Sequence, residues 1–367
     1  MTAEHIVPQP PDAPNTTEPG LAGGGVAALL LGAMLAGASM GLLSPTTGDT
    51  ASNWIDPTLL LMISLLLFEL RPKSIVQGFG NLRFLGLTWV ANFLIIPFIG
   101  FGIASLFLSG QPLLFTGLVI YFMSPCTDWF LGFTRMARGD TALGTALIPI
   151  NMLTQILLFP VWLWLFTRHT GLVDFASIPG TLAEWFVVPL IAAQVLRFAL
   201  DKLLPDASFQ FVVRWVGHIV PVVIAALILQ IFAANIGVIA AHADAFATIL
   251  LAIFLFFVAT FILGELLSKF AGLDHPKHAL LSMTTAARNA PMMLAITAVA
   301  IPDQPLILAA LVIGMLIEFP HLTALKQILL RQAGQQAVVA SQAATPTTLT
   351  GARTQSKHQP RQASTVP

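Results

Sequence analysis

The chain has 367 residues, 56% of them hydrophobic and only 9% charged, with a formal net charge of zero and a mean hydropathy of +0.84. A soluble domain carries about 25% charged residues, so this composition excludes an ordinary soluble protein and implies an integral membrane protein in a lipid bilayer. The neutral balance argues against a nucleic-acid role, the single cysteine excludes an intrachain disulfide, and no zinc-type or cofactor motif is present, so no cofactor is expected.

Residues 1–24 are polar, with Pro8, Pro10, Pro11 and Pro14 and no basic n-region. They read as a disordered tail rather than a cleavable signal peptide. Ten apolar runs of about 20 residues follow, the length that spans hydrocarbon as a helix. They lie at 25–43, 56–70, 84–108, 112–134, 142–167, 182–200, 216–239, 246–268, 278–300 and 305–325. The second is short and could extend to about Ile75. Residues 331–367 are rich in Gln, Ala, Thr and Ser without an apolar period, and read as a second disordered tail. The transporter domain is therefore 25–330.

Basic residues alternate along the connections. Arg71, Lys73 and Arg83 follow the second run, and Arg135 and Arg138 follow the fourth. Lys202 and Arg214 follow the sixth, with Arg197 at the helix end. Lys269 and Lys277 follow the eighth, and Lys326 and Arg331 the tenth. The intervening loops hold only Arg168. The positive-inside rule then places both termini in the cytoplasm, as in a multi-pass protein of the inner (plasma) membrane.

The fourth run is interrupted. LLFTGLVIYFM (Leu113–Met123) is followed by SPCTDW (Ser124–Trp129) and then FLGF (Phe130–Phe133). The interruption holds Pro125, Asp128 and Cys126, the chain's one cysteine. Irregular backbone at membrane depth is tolerated only where protein or a water-filled cavity surrounds it. The ninth run, His278–Ala300, is broken in the same way by Arg288, Asn289 and Pro291. Five runs with a break in the fourth are repeated once, and an odd number inverts the second copy. The predicted fold is all-α: ten transmembrane helices in two inverted five-helix repeats, with broken helices four and nine crossing. Paired broken helices mark a secondary transporter with a mid-membrane site, whereas a simple Pro kink would need only one break.

Several residues could carry the chemistry. Cys126 lies where the second half-helix begins, where freed N–H groups favour a thiolate, the natural ligand of thiophilic species; its alternative is a small buried hydrophobe. Thr127 lies beside it. Arg288, far from either membrane face, reads as an anion contact, a control on proton affinity or a structural ion pair with Asp128. Asp128 and Glu318, the latter in IEFPHL (Ile317–Leu322) and toward the cytoplasmic end, are candidate proton carriers, with a structural acid beside His321 as the alternative for Glu318. Asn151, Asn289 and Asn92 offer uncharged polar ligands or interhelical hydrogen bonds. Glu265 and Arg197 read as snorkelling or capping residues. Neither tail resembles a signalling domain, which argues against a receptor, and no nucleophile–base pair argues for an enzyme.

At these residues the chain resembles the arsenite efflux permeases, of the superfamily that also contains the bile acid/sodium symporters. PCTDWFLGFTRMARGD (Pro125–Asp140) resembles that family's fourth helix, in the Pro-Cys-Thr and the spacing from Cys to the Gly-Asp. Asn151 falls where the family has an Asn, and Glu318 with Pro320 resembles its Glu-x-Pro. The resemblance covers roughly residues 25–330. It implies a panel domain (spans 1, 2, 6, 7) moving against a core domain (spans 3–5 and 8–10), with Cys126 as metalloid ligand and export of arsenite or antimonite against protons. Two departures stand out. The permeases' ninth-helix Asn-Asn-Phe-Glu segment is replaced by Arg288-Asn289-Ala290-Pro291, so Glu318 or Asp128 must supply any proton carboxylate. The arginine points to a divergent branch, with a small organic anion as the alternative substrate. Phe130, Leu131, Gly144 and Thr284 stand near positions where the symporters hold sodium ligands, so protons rather than sodium are the expected coupling ion.

Overall fold

A computed structural model describes residues 23–70, 81–127, 129–171, 175–176 and 178–343. Asp128, residues 1–22, residues 344–367 and the basic cluster Arg71 and Lys73 lie outside the described residues. The described chain is helical almost throughout: α1 (Gly23–Leu43), α2 (Pro45–Ser52), α3 (Ile55–Glu69), α4 (Leu82–Leu108), α5 (Pro112–Phe122), α6 (Phe130–Met136), α7 (Thr141–Thr167), α8 (Ile178–Leu203), α9 (Asp206–Ala240), α10 (Phe246–Ala271), α11 (His275–Ala286), α12 (Ala290–Ala300) and α13 (Pro305–Ala343).

Local chemistry sets many of the ends. Pro112 stands in the first turn of α5, where its missing N–H costs nothing. Asp140 caps α7 by accepting from the N–H of Leu143, and Asp274 caps α11 by accepting from that of Lys277. α10 ends at Gly272, whose φ of +59° suits glycine. α4 and α8 each widen into a π-turn, Ala91–Ile95 and Ala183–Val187, just ahead of Pro97 and Pro189. A proline ring collides with the carbonyl four residues back, and the wider turn relieves that collision.

Among the described residues, seven helices are long and apolar enough to cross a bilayer: α1, α4, α7, α8, α9, α10 and α13. An eighth crossing results if α2 and α3, bent by 40°, count as one span. Helices α5 and α12 are apolar but only 11 residues each, because each ends at a break. The ten expected runs thus coincide in position with helical segments, and three boundaries change. The short α2 precedes the second run. α9 begins at Asp206, so Arg214 is helical rather than in a loop. α13 continues to Ala343, through the start of the expected disordered tail. Its Ala, Gln and Leu are good helix formers, Leu325 and Leu329 are buried, and Gln332 donates to Glu265 at 3.0 Å.

Helix α9 packs on α1, α2 and α3, and α8 packs on α3. A second set forms around α5, which lies against α4 and α13, while α10 lies against α4 and α11. The two sets meet where α13 touches α9 and α1 and where α12 touches α3. Outward residues such as Leu106, Leu157 and Phe254 are exposed, as lipid-facing side chains are.

Candidate functional site

The two breaks meet. Pro125 and Arg288 form an isolated antiparallel bridge. The N–H of Cys126 donates to the carbonyl of Ala287 at 3.0 Å, and the N–H of Asn289 donates to that of Ser124 at 2.9 Å. A helix broken in apolar surroundings leaves main-chain groups without partners, and each orphan there is costly. Here each break satisfies the other, so neither extended segment is stable without its counterpart.

The arms of the crossing are held close by small residues. A methyl added at Gly117 of α5 would lie 2.8 Å from Cβ of Ala310, and one at Gly314 of α13 would lie 2.9 Å from three ring atoms of Tyr121. Glycine at these two positions lets α5 and α13 approach as tightly as they do.

Arg288 is fully buried. Its Nη1 donates to the carbonyl of Phe122 at 3.1 Å. Its Nη2 faces the carbonyls of Thr284 and Thr285 at 3.0 and 2.7 Å and Oδ1 of Asn92 at 3.4 Å. The guanidinium carbon lies 5.7 Å from the Phe256 ring centre. Its terminal nitrogens are thus directed at protein oxygens, at the ends of α5 and α11 and on Asn92 of α4, while Nε has no hydrogen-bond partner. The expected partner Asp128 lies outside the described residues, and no acid among the described residues lies within 4.0 Å of the guanidinium.

Glu318 is also fully buried and belongs to the crossing itself. It lies 13 residues into α13, about 20 Å from that helix's start at a rise of about 1.5 Å per residue. Its Oε1 accepts from Nε1 of Trp129 at 2.7 Å and from the main-chain N–H of Arg288 at 3.0 Å. Its Oε2 lies 3.0 Å from the hydroxyl of Tyr121, which is also 2.9 Å from the carbonyl of Gly314. His321 is not its partner: that ring stacks on Phe257 with centres 4.0 Å apart.

Cys126 is fully buried, and its carbonyl faces Nδ2 of Asn151 at 3.4 Å. Thr127 accepts from Nδ2 of Asn289 at 3.0 Å, and Oδ1 of Asn289 caps α12 at the N–H of Met292. Nδ2 of Asn92 donates to the hydroxyl of Thr284 at 3.2 Å, with Nδ2 of Asn151 3.5 Å from the same oxygen. Cys126, Thr127, Asn151, Arg288, Asn289 and Glu318 therefore form one buried polar cluster. Oδ1 of Asn151 has no protein partner within it.

Sequence reading missed Tyr121, Trp129 and Gln155. Tyr121 is the chain's one tyrosine and stands five residues before Cys126, a signal of the same kind as the lone cysteine. Gln155, one turn beyond Asn151 on α7, is buried with neither amide atom hydrogen-bonded. Of the peripheral residues, Arg197 does cap a helix, donating to the Phe68 carbonyl of α3 at 2.6 Å. Glu265 instead joins three helices, accepting from His278 at 3.1 Å as well as from Gln332.

The arsenical-resistance protein Acr3 of Corynebacterium glutamicum is 27% identical over 311 residues, covering 81% of this chain and 83% of that protein. Coverage of that extent includes both breaks. The Sodium Bile acid symporter family matches residues 57–242, just over half of the chain and including the first break. With its apolar helices and crossed breaks, this multi-pass membrane chain belongs to the Sodium Bile acid symporter family, as a divergent member similar to Acr3.

Proposed function

We propose that this protein is a secondary active transporter that exports arsenite or antimonite, probed at Cys126 in the broken fourth span. The observation that carries the reading is the placement of the chain's one thiol in the crossed break, together with the similarity to a protein named for arsenical resistance. Neutral arsenous acid has three hydroxyls on arsenic. The thiol can displace one of them as water, its proton leaving on that hydroxyl, to form a single As–S bond. One thiolate holds arsenic far less tightly than three would, which suits cargo that must be released. Thr127, Asn151 and Asn289 offer polar atoms for the remaining hydroxyls.

Glu318 is the proposed proton carrier. The Tyr121 hydroxyl has one proton but faces two acceptors, Glu318 and the Gly314 carbonyl. A proton on Oε2 resolves this, since Glu318 then donates to Tyr121 while Tyr121 donates to Gly314. Losing that proton changes the bonding between α13 and the crossing, the kind of local change that can bias a moving element. Asp128 is the other candidate carboxylate. The ten-span arrangement, the inverted repeats, the panel and core division and the cytoplasmic termini belong to the same proposal, and reporter fusions after each predicted loop test the topology.

In cells lacking other exporters, Cys126→Ser is expected to abolish resistance and let arsenite accumulate to the level of empty cells. Unchanged export would end the thiol reading. Glu318→Gln is expected to uncouple export from the pH gradient in vesicles; a retained response would move the proton elsewhere. Thermal stabilisation of purified protein by arsenite, and not by organic carboxylates, separates this reading from organic-anion transport.

A further inference from the structure

We propose that the guanidinium of Arg288 is a tethered cation, filling a monovalent-cation site formed by the ends of the two half-helices. Four oxygens surround its terminal nitrogens: the carbonyls of Phe122, Thr284 and Thr285, and Oδ1 of Asn92. Phe122 is the last residue of α5, and Thr284 and Thr285 lie in the last turn of α11. A helix C-terminus carries roughly half a negative charge, so two converging ends supply about one. The side chain is fully buried, and a buried charge without compensation is strongly unfavourable.

No carboxylate among the described residues hydrogen-bonds the guanidinium. Glu318 bonds the main-chain N–H of Arg288, at 3.0 Å, and not its guanidinium. The positive charge instead faces main-chain dipoles, an amide oxygen and the Phe256 ring, whose face favours cations. Helix C-termini and carbonyls of broken transmembrane helices are the groups that coordinate alkali cations in other transporters. In this chain the position is occupied by covalently attached charge, fixed in the sequence.

Two consequences follow. A mobile cation has no place to bind at this point of the crossing, so the transport cycle should not respond to sodium or potassium here. Removing the side chain should leave an oxygen-lined cavity that accepts a free monovalent cation. The inference extends the transporter reading, but its test needs no substrate and can fail or succeed independently of arsenite export.

The test uses the purified full-length chain in detergent, with Arg288→Ala and the unaltered protein titrated with sodium chloride, with low, non-denaturing guanidinium chloride, and with choline chloride as ionic-strength control. The Arg288→Ala melting temperature should rise by roughly 3–5 °C with guanidinium or sodium relative to choline, while that of the unaltered protein stays constant. Equal insensitivity of the two proteins would overturn the proposal. Should Arg288→Ala fail to accumulate, Arg288→Lys and Arg288→Gln decide by yield of monodisperse protein. The charged Lys variant should be recovered at several times the level of the neutral Gln variant, and equal recovery would show that the site does not require a cation.

Discussion

The first break runs from Met123 to Trp129, between α5 and α6, and the second only from Ala287 to Asn289, between α11 and α12. They exchange main-chain hydrogen bonds, yet their side chains differ in what they do. Those of the second break bind the fold: Arg288 gathers the ends of two half-helices, and Asn289 caps a third helix while holding Thr127. The first break carries the thiol of Cys126 and the hydroxyl of Thr127, both buried. The shorter segment thus holds the crossing together, and the longer one carries the proposed thiol contact.

Substitutions on the two sides sharpen that division. Arg288→Ala should have the largest effect on stability, because it leaves four buried acceptors without their donor. A loss exceeding about 3 kcal/mol is expected, seen as a melting temperature well below that of the unaltered protein when no added cation is present. Gly314→Ala should follow at about 1–3 kcal/mol, since the new methyl meets the Tyr121 ring. It should also impair proton coupling, by displacing the hydroxyl from Glu318. Asn289→Ala removes a helix cap and should cost about 1 kcal/mol, read as a modest fall in melting temperature. Cys126→Ala should be smallest for stability, about 1 kcal/mol or less, while lowering arsenite export at least ~10-fold. A Cys126→Ala protein that fails to fold, or an Arg288→Ala protein as stable as its parent, would break the comparison.

The breaks and helix positions were legible because a membrane imposes strong constraints: long apolar runs, and polar or proline-containing interruptions that need a reason. Cys126, Thr127, Asn151, Asn289 and Arg288 stood out as polar residues in apolar surroundings. Tyr121 and Trp129 did not, because aromatic side chains are ordinary in a transmembrane span until one sees where their polar tips point. Glu318 was visible without its partners, because those depend on how α13 packs against the crossing. The far end of α13 was read as a tail because a helix leaving the membrane loses its apolar period while keeping its helix-forming residues.

The sequence by itself determined that this is an all-helical membrane chain with two breaks and a single thiol in one of them. Those features are local, written in composition and spacing. Only the tertiary structure decided what the arginine touches, since its partners come from α4, α5 and α11. It also decided that Glu318 meets Trp129, Tyr121 and the second break at one point. Hydrogen bonds in a low-dielectric interior are set by which helix ends converge, and that convergence joins residues more than 150 positions apart.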